Sequence, residues 1–98
     1  MREVRWAASA SRDLNALQSY IAAEESEQRA TLVGDRIEHA TASLGELAVG
    51  HFGRVRGTYE LPVRQTPYIV SYAKSETTIT ILRVINESRN WKAGSWPT

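Results

Sequence analysis

Residues 78–85 read TITILRVI, and the way this stretch is placed decides the fold. Its β-branched residues favour an extended chain. Strict alternation sets Thr80, Leu82 and Val84 on one face and Ile79, Ile81, Arg83 and Ile85 on the other. Both faces are largely apolar, so the strand belongs inside a sheet. A lone arginine among isoleucines is costly unless it finds a partner or reaches the open side. Glu60, on a neighbouring strand, is the expected ion-pair partner of Arg83. Upstream, KSET (Lys74 to Thr77) is a turn and YIVSYA (Tyr68 to Ala73) a strand with Tyr68, Val70 and Tyr72 on one face. RQTP is the turn before it. TYELPV (Thr58 to Val63) is a further strand, with Tyr59, Leu61 and Val63 opposite Glu60 and Pro62. Pro62 has no N–H for a ladder, which favours an edge or a bulge there.

The first half of the chain has a different period. VRW (Val4 to Trp6) is a short strand candidate. In SASRDLNALQSYIAAEE, Ala10, Leu14, Leu17 and Ile21 form one helical stripe. Ser9 is the expected N-cap, and Asp13 lies in an early turn where the helix dipole favours an anion. Ser26 caps a second helix, whose stripe is Ala30, Val33, Ile37, Ala40, Leu44 and Leu47. The join at Glu24 to Ser26 is short, so the helices pack antiparallel. Gly34 costs about 1 kcal/mol inside a helix, and close approach to the first helix would explain it. VGHFG, with Gly50 and Gly53, ends the second helix. The order β–α–α–β–β–β predicts an α+β fold: an N-terminal helical hairpin packed on a small, mainly antiparallel sheet.

Ninety-eight residues, 42% hydrophobic, make one domain over 1–98 with a thin core and a polar tail from about residue 87. No cysteine is present, so neither a disulfide framework nor a Cys-based metal site is available. The start lacks the apolar stretch of a signal peptide, and no run reaches the ~18 apolar residues of a membrane span. A cytoplasmic protein is expected. Residues 1–50 carry five Lys/Arg against eight Asp/Glu, and residues 51–98 carry seven against three, so the two halves have charges of −3 and +4. The positive half suits an acidic partner or a phosphate backbone.

GHFGRVRG is glycine-rich but has neither phosphate-loop spacing, and reads as a helix-to-strand connection. His39 and His51, with no cysteine and no carboxylate pair close by, make a poor metal set. No metal or cofactor is expected. None of the serines sits in a G-x-S-x-G elbow. Arg54, Arg56, Arg64, Arg83 and Arg89 interleave with Tyr59, Tyr68, Tyr72 and Trp91 in the second half. Arginine with aromatics suits an RNA-contacting face or a protein hot spot.

The stretch GRVRGTYELPVRQTPYIVSYAKSETTITILRVINESRNW, with SRDLNALQSYIA in the first helix, resembles the RelE/ParE superfamily of toxins from bacterial toxin–antitoxin pairs. The resemblance rests on Gly53-Arg54, Gly57, Tyr59-Glu60-Leu61, Val63, Pro67-Tyr68, Tyr72, Ile81-Leu82-Arg83-Val84, Arg89 and Trp91 and covers about residues 4–92. It implies one of two targets. RelE-like members cleave messenger RNA on the ribosome, and ParE-like members poison DNA gyrase. Glu60, Pro62 and Ile69 stand where the cleaving branch has Lys, Lys and Arg, and only Arg89 keeps a matching cation. Asn86 stands where many relatives have histidine, and an amide cannot act as general acid or base near neutral pH. Asn86 is expected to end the strand by side-chain hydrogen bonding. The resemblance is therefore closer to ParE.

It implies a hetero-oligomer with a cognate, ParD-like antitoxin, gyrase as target, and contact with operator DNA only through the antitoxin. Leu17, Ile21 and Val33 are expected nearest the groove that takes the antitoxin. Arg83, Arg89 and Trp91 are expected to meet the target. The alternative, an mRNA endonuclease, would draw on Arg54, Arg56, Arg64 and Arg89. A third possibility is an inactive relative that only binds the antitoxin and helps repress the operon.

Overall fold

A computed structural model describes residues 1–88. The elements are β1 (Glu3–Trp6), α1 (Ala8–Glu24), α2 (Glu27–Ser43), β2 (His51–Phe52), β3 (Tyr59–Pro62), β4 (Tyr68–Lys74) and β5 (Thr78–Asn86). The two helices pack on one another, and α1 also packs on β5. The sheet runs β1-β5-β4-β3-β2, with β1 parallel to β5 and the other neighbours antiparallel. This is the expected α+β arrangement with one strand more, since β2 forms a two-residue pair with β3 inside the glycine-rich connection. The stretch that opened the reading, β5, is interior as expected, although β4 is the middle strand.

The face alternation of β5 departs from strict period two. Val70 pairs with Val84 and Tyr72 with Ile81, so two steps along β4 match three along β5. Leu82 is the additional residue of a β-bulge, and a bulge reverses the faces beyond it. Ile79, Ile81 and Val84 therefore join Tyr68, Val70 and Tyr72 in the core under the helices. Arg83 and Ile85 turn to the opposite face with their partners Ser71 and Ile69. The expected set Ile79, Ile81, Arg83, Ile85 is thus divided at Leu82. Pro62 lies on β3 beyond the two residues that β2 covers, at a local edge as expected.

The helices follow their stripes with two differences. Ser26 caps α2, its hydroxyl accepting from Arg29 N at 3.0 Å. Ser9 does not cap α1: the cap is the extended Ala7, without a side-chain bond, and Ser9 lies inside the first turn. Helix α2 stops at Ser43, and Leu44 is the last buried member of its stripe, leaving Leu47 exposed. Gly34 meets its expected neighbour. A Cβ there would stand 2.1 Å from Gln18 Nε2, whose amide donates to Ala30 O at 3.3 Å.

Candidate functional site

Three clusters hold the residues singled out by sequence. The first lies where β5 leaves the sheet. Pairing with β1 stops at Ile81, so among the described residues the rest of that β5 edge has no strand beside it. Helix α1 supplies the missing partners from two side chains one turn apart. Ser9 Oγ donates to Leu82 O at 2.7 Å, and Asp13 Oδ2 accepts from Val84 N at 2.9 Å. Arg83 reaches Asp13 as well, with Nε at 2.7 Å from Oδ2 and Nη2 at 3.0 Å from Oδ1. The hydrogen bond to Asp13 raises the Arg83 pKa against the opposing effect of burial. The expected Arg83–Glu60 pair does not form, because β4 lies between their strands, Arg54 occupies Glu60, and α1 presents a carboxylate closer to Arg83. Arg83 is thereby an anchor of the strand end. Asn86 closes the strand as expected, its Oδ1 accepting from Ser88 N at 2.9 Å and Ser88 Oγ at 2.6 Å. Glu87 N donates to Pro67 O at 2.7 Å. Arg89 and Trp91, the other expected target contacts, lie outside the described residues.

The second cluster surrounds Glu60, which is 1% exposed. Its carboxylate accepts from Arg54 N at 2.8 Å, Arg54 Nε at 3.1 Å and Arg54 Nη2 at 3.2 Å. A buried carboxylate needs such partners, and the loop from Gly53 to Thr58 folds back to provide them. Arg54 is committed to Glu60. Arg56 and Arg64 are exposed at opposite ends of β3, separated by roughly 13 Å of strand. The four arginines of the endonuclease alternative are thus not gathered among the described residues. His39 is exposed on α2, and His51 Nδ1 lies 3.0 Å from Phe52 O. Among the described residues no three of His, Asp and Glu gather as metal ligands.

The third cluster is apolar. Leu17, Ile21 and Val33 are buried in the core, so they do not themselves present a surface to a partner. The hairpin exposes Tyr20 and Leu32 instead. An open groove between β1 and the helices is lined by Val4, Trp6, Leu14, Asn15, Glu38 and Thr41. At the other end of the sheet Phe52, Tyr59 and Tyr72 stack in a row across β2, β3 and β4, with centroids 5.5 Å apart at each step. Lys74 Nζ stands 4.5 Å over the Tyr59 ring. The Tyr72 hydroxyl donates to Val49 O. Sequence reasoning missed this margin. Its one signal was an aromatic, Phe52, inside a connection otherwise made of glycine and charge.

Comparison with known proteins fits this geometry. The family profile described as ParE toxin of type II toxin–antitoxin system, parDE, matches residues 4–91. A candidate toxin of Sinorhizobium fredii, Y4kP, is 33% identical over 91 residues, which cover 92% of this chain and 93% of that protein. The structure resembles the chromosomal ParDE toxin–antitoxin system of P. aeruginosa with a TM-score of 0.82 at 21% identity, over 88% of this chain and 96% of the other. It resembles the Mycobacterium tuberculosis RelBE2 toxin–antitoxin complex with a TM-score of 0.58 at 29% identity, over 90% and 93%. For a single-residue mutant of YafQ from E. coli the TM-score is 0.61 at 11% identity, over 90% and 96%. With its helical hairpin, five-stranded mixed sheet and a profile match along nearly its whole length, the chain belongs to the ParE toxin family of type II toxin–antitoxin systems.

Proposed function

We propose that this toxin acts on DNA gyrase without cutting nucleic acid, in the cytoplasm, and that a ParD-like antitoxin neutralises it. The observation that carries the reading is Glu60. A carboxylate buried and held by three Arg54 donors stands where an mRNA-cleaving relative needs a free cation for the developing phosphate charge. Asn86 supports the same reading, since its amide is used in a turn and does not titrate near neutral pH. Target contact falls to Arg89 and Trp91, with Arg83 anchoring the strand that leads to them. Leu17, Ile21 and Val33 serve the antitoxin from beneath, by supporting the hairpin surface that carries Tyr20 and Leu32.

The likeness to the RelBE2 complex favours a second reading, a ribosome-dependent mRNA endonuclease using the exposed Arg56 and Arg64. Two assays on the purified chain separate the readings. Inhibited supercoiling of relaxed plasmid by gyrase, with no new 5′ ends in primer extension on translated messenger RNA, is the expected result. Codon-positioned ends without gyrase inhibition would replace the first reading by the second. Inactivity in both assays, with the antitoxin still bound, would leave a repressor partner only.

A further inference from the structure

Phe52 is 83% exposed, yet its ring is held in place. One face lies on Tyr59 at an interplanar angle of 27°, and Tyr59 lies in turn on Tyr72, whose ring is in the core. Strand β2 ends the sheet, which leaves the outer face of the Phe52 ring open. The turn leading into β2 is held as well. Gly50 has φ +126°, and a Cβ there would stand 2.7 Å from Glu60 O, so only glycine permits it. A ring stacked on one side and bare on the other is preorganised, which lowers the ordering cost of binding on the bare side.

Cations surround this ring. Lys74 Nζ stands 4.5 Å over the Tyr59 ring. Arg56 is exposed at the tip of the loop 53–58, which joins the two stacked rings. Arg2 reaches from β1 towards the same end of the sheet, its Nε donating at 2.7 Å to the carbonyl of Ser75, the residue after Lys74. Two carboxylates lie here: Glu76, exposed in the turn with Ser75, and Glu60, buried against Arg54. Glu46 is elsewhere, because Gly45 O accepts from Arg2 N and holds that segment and Leu47 beside β1. Among the described residues no carboxylate pairs with Lys74, Arg56 or Arg2. A folded partner seeking apolar burial finds a single ring here, and single exposed apolar residues do not mark such an interface. A nucleobase is the better match. Every base has a π-face that stacks on an aromatic ring, and the phosphates beside it seek cations. In a duplex the bases already stack on one another, so an open ring adds nothing to duplex binding.

We infer that this end of the sheet binds single-stranded nucleic acid, one base stacking on the open face of Phe52 and the adjoining phosphates meeting Lys74, Arg56 and Arg2. The surface is separate from the positions where the cleaving branch has its cations. Glu60, Pro62 and Ile69 stand on the sheet face away from the helices, whereas Phe52 and Tyr59 share the face of Tyr72. The inference is one of binding without cleavage, and it depends neither on gyrase as target nor on the antitoxin partnership.

The test is fluorescence anisotropy of the purified full chain with labelled oligothymidylate and oligouridylate of about ten nucleotides and a duplex of equal length. The wild-type chain is expected to bind a single strand more tightly than the duplex, and the tighter of the two strands identifies the sugar. Phe52→Leu keeps an apolar side chain but removes the flat ring, and it is expected to weaken single-strand binding about fivefold or more. Phe52→Trp is expected to bind at least as tightly as the wild type. Lys74→Gln should lower the slope of log affinity against log salt by about 0.7. These side chains are exposed, and circular dichroism checks that the variants fold. Weakening by Phe52→Leu of less than about fivefold would overturn the inference, since the contact would then not be stacking. Duplex binding as tight as that of either strand, or no binding of a single strand by the wild-type chain, would overturn it as well. Were Phe52→Leu to lose its fold, an unchanged salt slope in Lys74→Gln would be sufficient to reject it.

Discussion

Tyr72 shows how one side chain couples core, loop and pH. Its ring is fully buried under the hairpin, and its hydroxyl reaches the Val49 carbonyl in the connection after α2. Burial pushes its phenol pKa above the ordinary 10.0, and neighbouring Tyr59 adds to the rise while Arg2 opposes it. The folded chain therefore holds this proton more tightly than the unfolded one. That stabilisation is fully present below about pH 10 and is lost as pH rises through the raised folded value. Stability should hold steady between neutral pH and about pH 9 and then fall, with part of the fall absent in Tyr72→Phe. At neutral pH the same variant should be less stable by about 1–2 kcal/mol, because the Val49 carbonyl loses its donor. Urea denaturation at about pH 7.5 and about pH 10.5 measures both effects. An equal alkaline loss in the two proteins would remove Tyr72 from the account.

At the scale of elements, the informative junction is between α1 and the unpaired end of β5. A carboxylate with three donors from two neighbouring residues takes the place of a missing strand. Asp13→Ala is expected to cost about 2–4 kcal/mol, since it strands both the Arg83 guanidinium and the Val84 N–H. Arg83→Met should cost less, about 1–2 kcal/mol, because Asp13 keeps the Val84 amide. Glu3→Gln, which loosens the exposed Glu3–Arg5 pair, should stay within about 0.5 kcal/mol of the wild type. Chemical denaturation orders the three, and an Asp13→Ala cost as small as that of Glu3→Gln would show the junction to be ornamental.

This junction also marks where the sequence stopped being legible. The helical stripes, the Ser26 cap, the interior placement of β5 and the edge at Pro62 follow from local periodicity and backbone chemistry, and they were readable. The bulge at Leu82 was not, because a bulge depends on cross-strand register, which a period-two count assumes and does not test. One residue of slip moved Arg83 to the face of Ser71 and Glu60, but β4 separates it from Glu60, and its partner is Asp13, 70 positions away. Ser9 misled for a related reason. Its helix-capping chemistry is real, but the helix starts before it, with Ala7 as cap, and its hydroxyl donates to the Leu82 carbonyl. Glu60 reads as surface by its charge, and only the fold-back of Arg54 makes its burial tolerable. Leu47 continues the α2 stripe in sequence, but the helix stops at Ser43, and Phe52 was hidden because exposure of an apolar residue leaves no periodic trace.

For the whole molecule, charge and architecture divide the same way. The acidic half is the helical hairpin with β1, and the basic half is the rest of the sheet and the tail, with −3 on residues 1–50 and +4 on residues 51–98. The proposed function gives these halves separate partners, the antitoxin on the hairpin surface and the target at Arg89 and Trp91. Truncation after Ser88 tests that separation. It leaves the Asp13 anchor and the Asn86 turn in place, so the shortened chain should keep its circular dichroism spectrum and still bind the antitoxin. It removes Arg89 and Trp91, so it should no longer arrest growth or inhibit supercoiling. A shortened chain that folds, binds the antitoxin and still arrests growth would take the tail out of the mechanism and leave Arg56 and Arg64 as the cations facing the target. A shortened chain that fails to fold would show that residues 89–98 belong to the domain's packing, and the idea of a recognition tail separable from the fold would be wrong.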